Sequence, residues 1–228
     1  MIFRKQISCL MLAAIFALIA SLADAQSADN LLPKYGLLPE TEGQKAADKV
    51  FITGMDHVYH GDLKKAANDT AMRGWQYLKQ GDPDDAMRRF NQAWLLDSKN
   101  GAALWGMAAV QADKEKLDDA LKLFAEAENY VGSEINFTVD YARTVGVAAI
   151  ARNDDALLKD ALDRYQRIYD KDPQNVRNLQ NWARTLYQKE RYSEAWSKIK
   201  LAEATPYKNQ LNPQFLAELE AHMPRPQN

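Results

Sequence analysis

The sequence predicts an all-α protein, a solenoid of antiparallel helical hairpins with about four units and flanking helices. Three observations predict it. Apolar residues recur at helical spacing through the body of the chain, and no segment alternates as a half-buried strand would. Short polar turns (Gln80–Pro83, Ser98–Gly101, Lys114–Lys116, Asn153–Asp154 and Asp172–Pro173) cut that body into helix-length pieces. One phrase also returns with a 34-residue period: Ala86, Phe90 and Ala93 are followed by Ala120, Phe124 and Ala127, and Ala161, Tyr165 and Ile168 by Ala195, Ile199 and Ala202. The small residues let two helices approach closely and the bulky one fills the hole between them, so each unit is a hairpin that must stack on its neighbours.

Composition narrows the function classes. The 228 residues carry 29 Lys+Arg against 31 Asp+Glu, with 46% apolar and 26% charged residues. That is the balance of an ordinary globular protein, and it excludes a disordered chain, a collagen-like repeat and a multi-span membrane protein. No basic excess exists to neutralise phosphates, so nucleic acid is not an expected partner. The one cysteine, Cys9, supports neither a disulfide framework nor a cysteine zinc site.

Residues 1–25 read as a secretory signal peptide: Arg4 and Lys5, then the apolar run Ile7–Ala23, then Ala23-Asp24-Ala25 before cleavage at Gln26. Export to the periplasm of a Gram-negative-type envelope is the expectation, with no stable membrane insertion after cleavage. An uncleaved anchor is the alternative, for which the 17-residue run is short. Residues 26–40 form an arm with two near-copies of one phrase, Leu31-Leu32-Pro33 and Leu37-Leu38-Pro39; the prolines predict an extended conformation, and the leucines predict that it lies against the body. Thr41 and Gln44 make a capping box for a flanking helix over 41–62, whose stripe is Ala46, Ala47, Val50, Phe51, Met55 and Val58. Asp62 is the next N-cap, opening the repeat domain, 63–208. Its third unit is lengthened: Ala120 and Ala161 lie 41 residues apart, seven more than the period, and seven residues are close to two helical turns. Helices are therefore expected over 135–151 and 155–170. In 209–228, Asn212 as N-cap and Pro213 at the first helical position start a capping helix, Pro213–His222, whose Phe215, Leu216 and Leu219 cover the end of the stack.

These repeats resemble the tetratricopeptide repeat family, with its Trp-x2-Leu-Gly-x2-Tyr and Ala-x3-Phe-x2-Ala pattern. The first unit supplies Gly74, Tyr77, Ala86, Phe90 and Ala93; the second supplies Leu104, Met107, Ala108, Ala120, Phe124 and Ala127, with Ala108 standing where the first has Gly74. The fourth supplies Leu179, Trp182, Ala183, Leu186, Ala195 and Ala202, and the match is firmer for second helices than for first. The resemblance implies a right-handed solenoid whose first helices line a concave groove that binds a protein or peptide, with no cofactor. The implied groove residues are Trp75, Leu78, Lys79, Trp105, Asn136, Arg143, Arg177, Arg184 and Tyr187. Trp75 and Trp105 would form one aromatic patch, unless they are ordinary packing or lie under the arm. The three arginines would receive a carboxylate terminus or an acidic segment, unless they are solvated surface charge. Ala71 and Trp75 stand where cytosolic co-chaperones of the family have their two-carboxylate clamp, so an Hsp70 or Hsp90 tail is not implied.

Catalysis finds little support. No nucleophile motif, phosphate loop or His-Glu-x2-His is present, and the acid pairs Asp84-Asp85, Asp118-Asp119 and Asp154-Asp155 each open a helix, where capping and the helix dipole favour carboxylates. Asp56, His57, His60 and Asp62 are the one dense group of potential metal ligands, but they too sit at a helix terminus; no metal and no enzyme activity are expected. Self-association as a structural component of an envelope assembly is the alternative to partner binding.

Overall fold

The computed structural model describes residues 30–226. The leader 1–25, Cys9 within it and the first residues of the arm lie outside the described residues. Ten α-helices follow one another among the described residues: α1 (Glu42–Val58), α2 (Leu63–Lys79), α3 (Pro83–Leu96), α4 (Gly101–Asp113), α5 (Leu117–Val131), α6 (Ile135–Arg152), α7 (Asp155–Lys171), α8 (Val176–Gln188), α9 (Tyr192–Glu203) and α10 (Pro213–His222). No strand occurs among the described residues. The chain divides into two compact units between Val110 and Gln111, inside α4.

One local device closes the hairpins. The amide of the residue just before the second helix reaches back to a carbonyl in the last turn of the first: Asp82 N to Tyr77 O at 3.0 Å, Lys116 N to Gln111 O at 2.9 Å, Asp154 N to Ala149 O at 2.9 Å and Arg191 N to Leu186 O at 2.9 Å. This is the six-to-one bond of a Schellman turn, which requires the preceding residue in the left-handed region. Gly81 fills that place at φ 81°, and Glu115, Asn153 and Glu190 fill it at 59°, 47° and 59°. Glycine and asparagine tolerate this conformation, whereas for glutamate it costs about 1–2 kcal/mol. Glu115→Gly and Glu190→Gly are therefore each expected to stabilise the chain by about 0.5–1 kcal/mol after the entropic cost of glycine. Asn153→Gly should do less. Thermal melts check this as a rise of roughly 2–4 °C per kcal/mol.

Within residues 30–110, α2 and α3 form a hairpin. Asp62 and Asp82 cap them through Lys65 N at 2.9 Å and Asp85 N at 3.0 Å. Phe90 is fully buried, with Gly74 and Gly106 against its ring. Thr41 and Gln44 make the reciprocal capping box of α1. The buried face of α1 differs from the predicted stripe. Phe51, Ile52, Met55 and Tyr59 pack toward Ala66, Ala67 and Leu96, whereas Val50 and Val58 remain 74% and 65% exposed. Positions 51, 52, 55 and 59 share one helix face, and Phe, Ile, Met and Tyr remove more apolar area from water than Ala and Val do.

The arm is not extended over 33–37. Pro33–Leu37 is a tight 3-10-like turn with Lys34, Tyr35, Gly36 and Leu37 all at positive φ, between 53° and 70°. The cause is tertiary: Asn91 of α3, wholly buried, accepts from Lys34 N at 2.8 Å and donates to the carbonyls of Asn30 at 2.9 Å and Leu32 at 2.8 Å. The arm thus rests on α3, a second helix, rather than on the first-helix face. Burial pushes the Tyr35 phenol up, reinforced by Asp48 and Glu40.

Within residues 111–226, the hairpins α6–α7 and α8–α9 pack on one another, with α5 against α6 and α10 against α9. The lengthened third hairpin has 18 residues in α6 and 17 in α7, against 13 and 12 in the fourth, so the insertion is shared between both helices. Its core stacks Phe124 on Tyr141 (5.1 Å, 7°), and the Arg164 guanidinium lies 3.9 Å from the centre of the Tyr141 ring while pairing with Asp160 and Glu128. Asn212 caps α10 through Phe215 N at 3.0 Å, and Phe215 and Leu219 are buried. The repeat residues Ala86, Phe90, Ala93, Ala120, Phe124, Ala127, Ala161, Tyr165, Ala195 and Ala202 are all buried, as is Gly74.

Candidate functional site

In the first unit the first-helix residues Trp75 and Trp105 meet, their ring centres 4.6 Å apart and tilted by 58°. Trp75 is fixed from behind: its Nε1 donates to Ala102 O at 3.2 Å, and its ring meets Phe90 edge-on at 5.5 Å. Both tryptophans are only partly buried, so a continuous aromatic patch stays open to solvent. Leu78 is half-buried and Lys79 exposed on the following turn of α2. Asn100, the residue before α4, donates to Asn68 Oδ1 at 2.6 Å and accepts from Ala103 N, tying α2 to α4 beside the patch.

In the second unit the predicted residues separate. Asn136 is exposed at the start of α6. Arg177 forms an ion pair with Asp140, and burial draws the guanidinium pKa down. It is therefore engaged within the fold. Arg184 places its guanidinium 4.4 Å from the centre of the Phe215 ring. Tyr187 meets Phe215 at 5.7 Å and 90° and shares a 3.2 Å hydrogen bond with His222 Nδ1. Arg143 and Arg184 open onto one cavity of about 410 Å³. Its apolar wall is Val147, Ile150 and Phe215; its floor is Tyr165, Thr185 and Asn181; Glu218 stands in the lining as well.

The floor was not legible from sequence. The Tyr165 and Thr185 hydroxyls bond at 3.1 Å, and Thr185 bonds in turn to Asn181 O at 3.1 Å. Gly146 leaves room for this pair, since a Cβ there would come within 2.8 Å of Thr185 Oγ1 and 2.9 Å of Tyr165 Oη. Asn181 is 9% exposed, and its Nδ2 has no hydrogen-bond partner among the described residues. The only sequence signal for Asn181 was its spacing, one turn from Arg177 and from Arg184 on α8.

Burial pushes the Tyr165 phenol up to about 12, opposed by its bond to Thr185 and by Arg143. The unfolded chain releases this proton near pH 10 and the folded chain near pH 12, so the stabilisation is complete below pH 10 and is lost as pH rises to 12. The loss attributable to Tyr165 is expected to be about 2–3 kcal/mol. Denaturant unfolding at pH 9 and pH 12 should show it in the native chain, and Tyr165→Phe should lack that component.

Asp62, one of the four residues weighed above as metal ligands, caps α2 through its side chain, accepting from Lys65 N at 2.9 Å. No described helix is long and apolar enough to cross a membrane.

Stacked helical hairpins whose first helices present aromatic, amide and guanidinium groups define a helical-repeat protein. The tetratricopeptide repeat family model matches residues 77–132, and the fold is similar to that of solved tetratricopeptide-repeat proteins. Among solved structures, the thermophilic TPR protein TTC0263 of Thermus thermophilus is 18% identical, with a TM-score of 0.60 over 70% of this chain and 84% of that one. MamA from Desulfovibrio magneticus RS-1 gives 14% identity and a TM-score of 0.54 over 71% and 84%. PilF of Pseudomonas aeruginosa gives 15% identity and a TM-score of 0.52 over 79% and 86%. At these identities the likeness is one of fold. No curated protein is matched by the sequence.

Proposed function

We propose that this chain is exported to the periplasm and there binds a segment of another protein along its first-helix faces, without catalysing a reaction. The open Trp75–Trp105 patch carries the reading. A packed tryptophan pair that remains partly exposed, with Trp75 held by Ala102 O, is preorganised for an apolar partner side chain. Central aromatic residues of this kind typically dominate interface energetics, at about 2 kcal/mol or more each. Export rests on the basic–apolar–small pattern of residues 1–25.

The test is an envelope pull-down with the chain from Gln26, beside Trp105→Ala and the double variant Trp75→Ala/Trp105→Ala, with circular dichroism confirming their fold. A protein held by the native chain and lost from the folded variants supports the reading. Equal retention by all three sinks it. N-terminal sequencing of the protein recovered from the periplasm should begin at Gln26; recovery with the membrane would instead show an anchor.

A second reading has its own observation. α1 buries none of its residues fully and exposes Val50 and Val58, beside an arm that exposes Leu37 and Leu38 by 72% and 53%. Self-association through this face would appear in sedimentation as a dimer dispersed by Val50→Glu/Val58→Glu, and a monomer at all concentrations would dismiss it.

A further inference from the structure

We propose that the cavity of the second unit captures the C-terminus of a polypeptide, its α-carboxylate between Arg143, Arg184 and Asn181 and its last, apolar side chain against Val147, Ile150 and Phe215. The inference deepens the binding reading above and rests on it.

The donors converge. Arg143 and Arg184 line the cavity, and neither has a carboxylate partner among the described residues. The Arg184 guanidinium is steadied over the Phe215 ring, a contact with the ring face that leaves its N–H edges directed elsewhere to meet an acceptor. The Asn181 Nδ2 is a third donor from the floor, buried and without a partner among the described residues. A buried donor left unsatisfied is costly, and an incoming acceptor removes that cost. Two guanidinium groups, that of Arg184 held over the Phe215 ring, and one amide N–H suit the two oxygens of a carboxylate.

Three features select a chain end over a free anion or an acidic side chain in mid-chain. Glu218 is the one carboxylate in the lining, and it would repel a bare anion but accept a backbone N–H from a peptide. The apolar wall beside the arginines gives the final side chain a place to lose its water. The volume of about 410 Å³ is near the small end of ligand sites, enough for the last residues of a chain and not for a continuous segment. Gly146 keeps the floor open, because a side chain there would press on Thr185 and Tyr165.

The test uses purified full-length protein and synthetic hexapeptides Gly-Ser-Ala-Gly-Ser-X, with X as Leu, Phe, Val, Lys or Glu, each with a free carboxylate or an amidated end. Calorimetric titration to millimolar peptide reads the affinity. The expected result is that the Leu, Phe or Val acids bind at least tenfold more tightly than their amides, that Arg143→Gln abolishes the difference, and that the Lys and Glu acids are weaker. Arg143 is exposed, so this variant should fold normally, as circular dichroism can show. Asn181→Ala should also weaken the acids and leave the amides unchanged. Equal binding of acid and amide, binding of the amidated Glu peptide as tightly as the Leu acid, or no binding by any acid overturns the proposal. Failure here while the pull-down partner is still lost from the Trp75/Trp105 variants would remove the terminus and keep the groove; failure of both would remove the binding reading itself.

Discussion

Gly106→Ala is expected to destabilise the first unit by about 2–3 kcal/mol, although alanine is the better helix former by nearly 1 kcal/mol. A Cβ at Gly106 would overlap Cε1 and Cζ of Phe90, and one at Gly74 would lie 2.5 Å from the same ring. The ring has little room to retreat, since Phe90 is wholly buried and packs against the Trp75 ring. The steric term therefore outweighs the propensity term. Phe90→Ala should cost about 3–5 kcal/mol by the same packing logic. The decisive measurement is the double-mutant cycle. With the ring gone the added methyl has space, so Gly106→Ala in the Phe90→Ala background should be neutral or stabilising, giving a coupling of about 2 kcal/mol or more, on the order of the largest seen for touching residues. Additive effects in urea unfolding would show that the clash is relieved by movement elsewhere.

Asn91→Ala is expected to release the arm and leave the hairpins folded. Three hydrogen bonds hold residues 30–34 to Asn91, each worth about 0.5–1.5 kcal/mol net, so local opening of the arm should become easier by about 1.5–4.5 kcal/mol. Hydrogen exchange at Lys34 N should then accelerate by roughly 10- to 2000-fold, with the amides of α3 and α2 little changed. Limited proteolysis should cut near Lys34 in the variant first. Slow exchange at Lys34 in a folded Asn91→Ala protein would mean that Leu31, Leu32 and Tyr35 hold the arm without the amide. The outcome bears on function because the arm rests on a second helix, so its release exposes α3 without uncovering the Trp75–Trp105 patch.

Much of this architecture was legible before any packing was known. The capping box at Thr41 and Gln44, the caps Asp62, Asp154 and Asn212, and the start of α10 at Pro213 are chemistry within three or four residues, which the sequence prints directly. The 34-residue phrase is legible for a related reason: each hairpin repeats the same short-range problem, a small residue where helices touch and a bulky one to fill the gap. Even the lengthened third hairpin followed from counting, because seven residues restore nearly the same helix face.

Tertiary structure alone decided the rest. Asn91 meets residues 57 to 61 positions away, and nothing around it in the sequence marks it as the anchor of the arm. On α1, periodicity allowed more than one apolar face, and burial went to Phe51, Ile52, Met55 and Tyr59 because they match the surface of Ala66, Ala67 and Leu96. Three arginines are read from the repeat pattern as groove residues; Arg177 is taken by Asp140, while Arg143 and Arg184 reach the cavity lined by Asn181, whose Nδ2 is unpartnered among the described residues. Sequence by itself determined which helices form and where they turn, since those choices are made over a few neighbouring residues. Which side chains remain available to a partner depends on what distant elements consume, and only the packed chain fixes that.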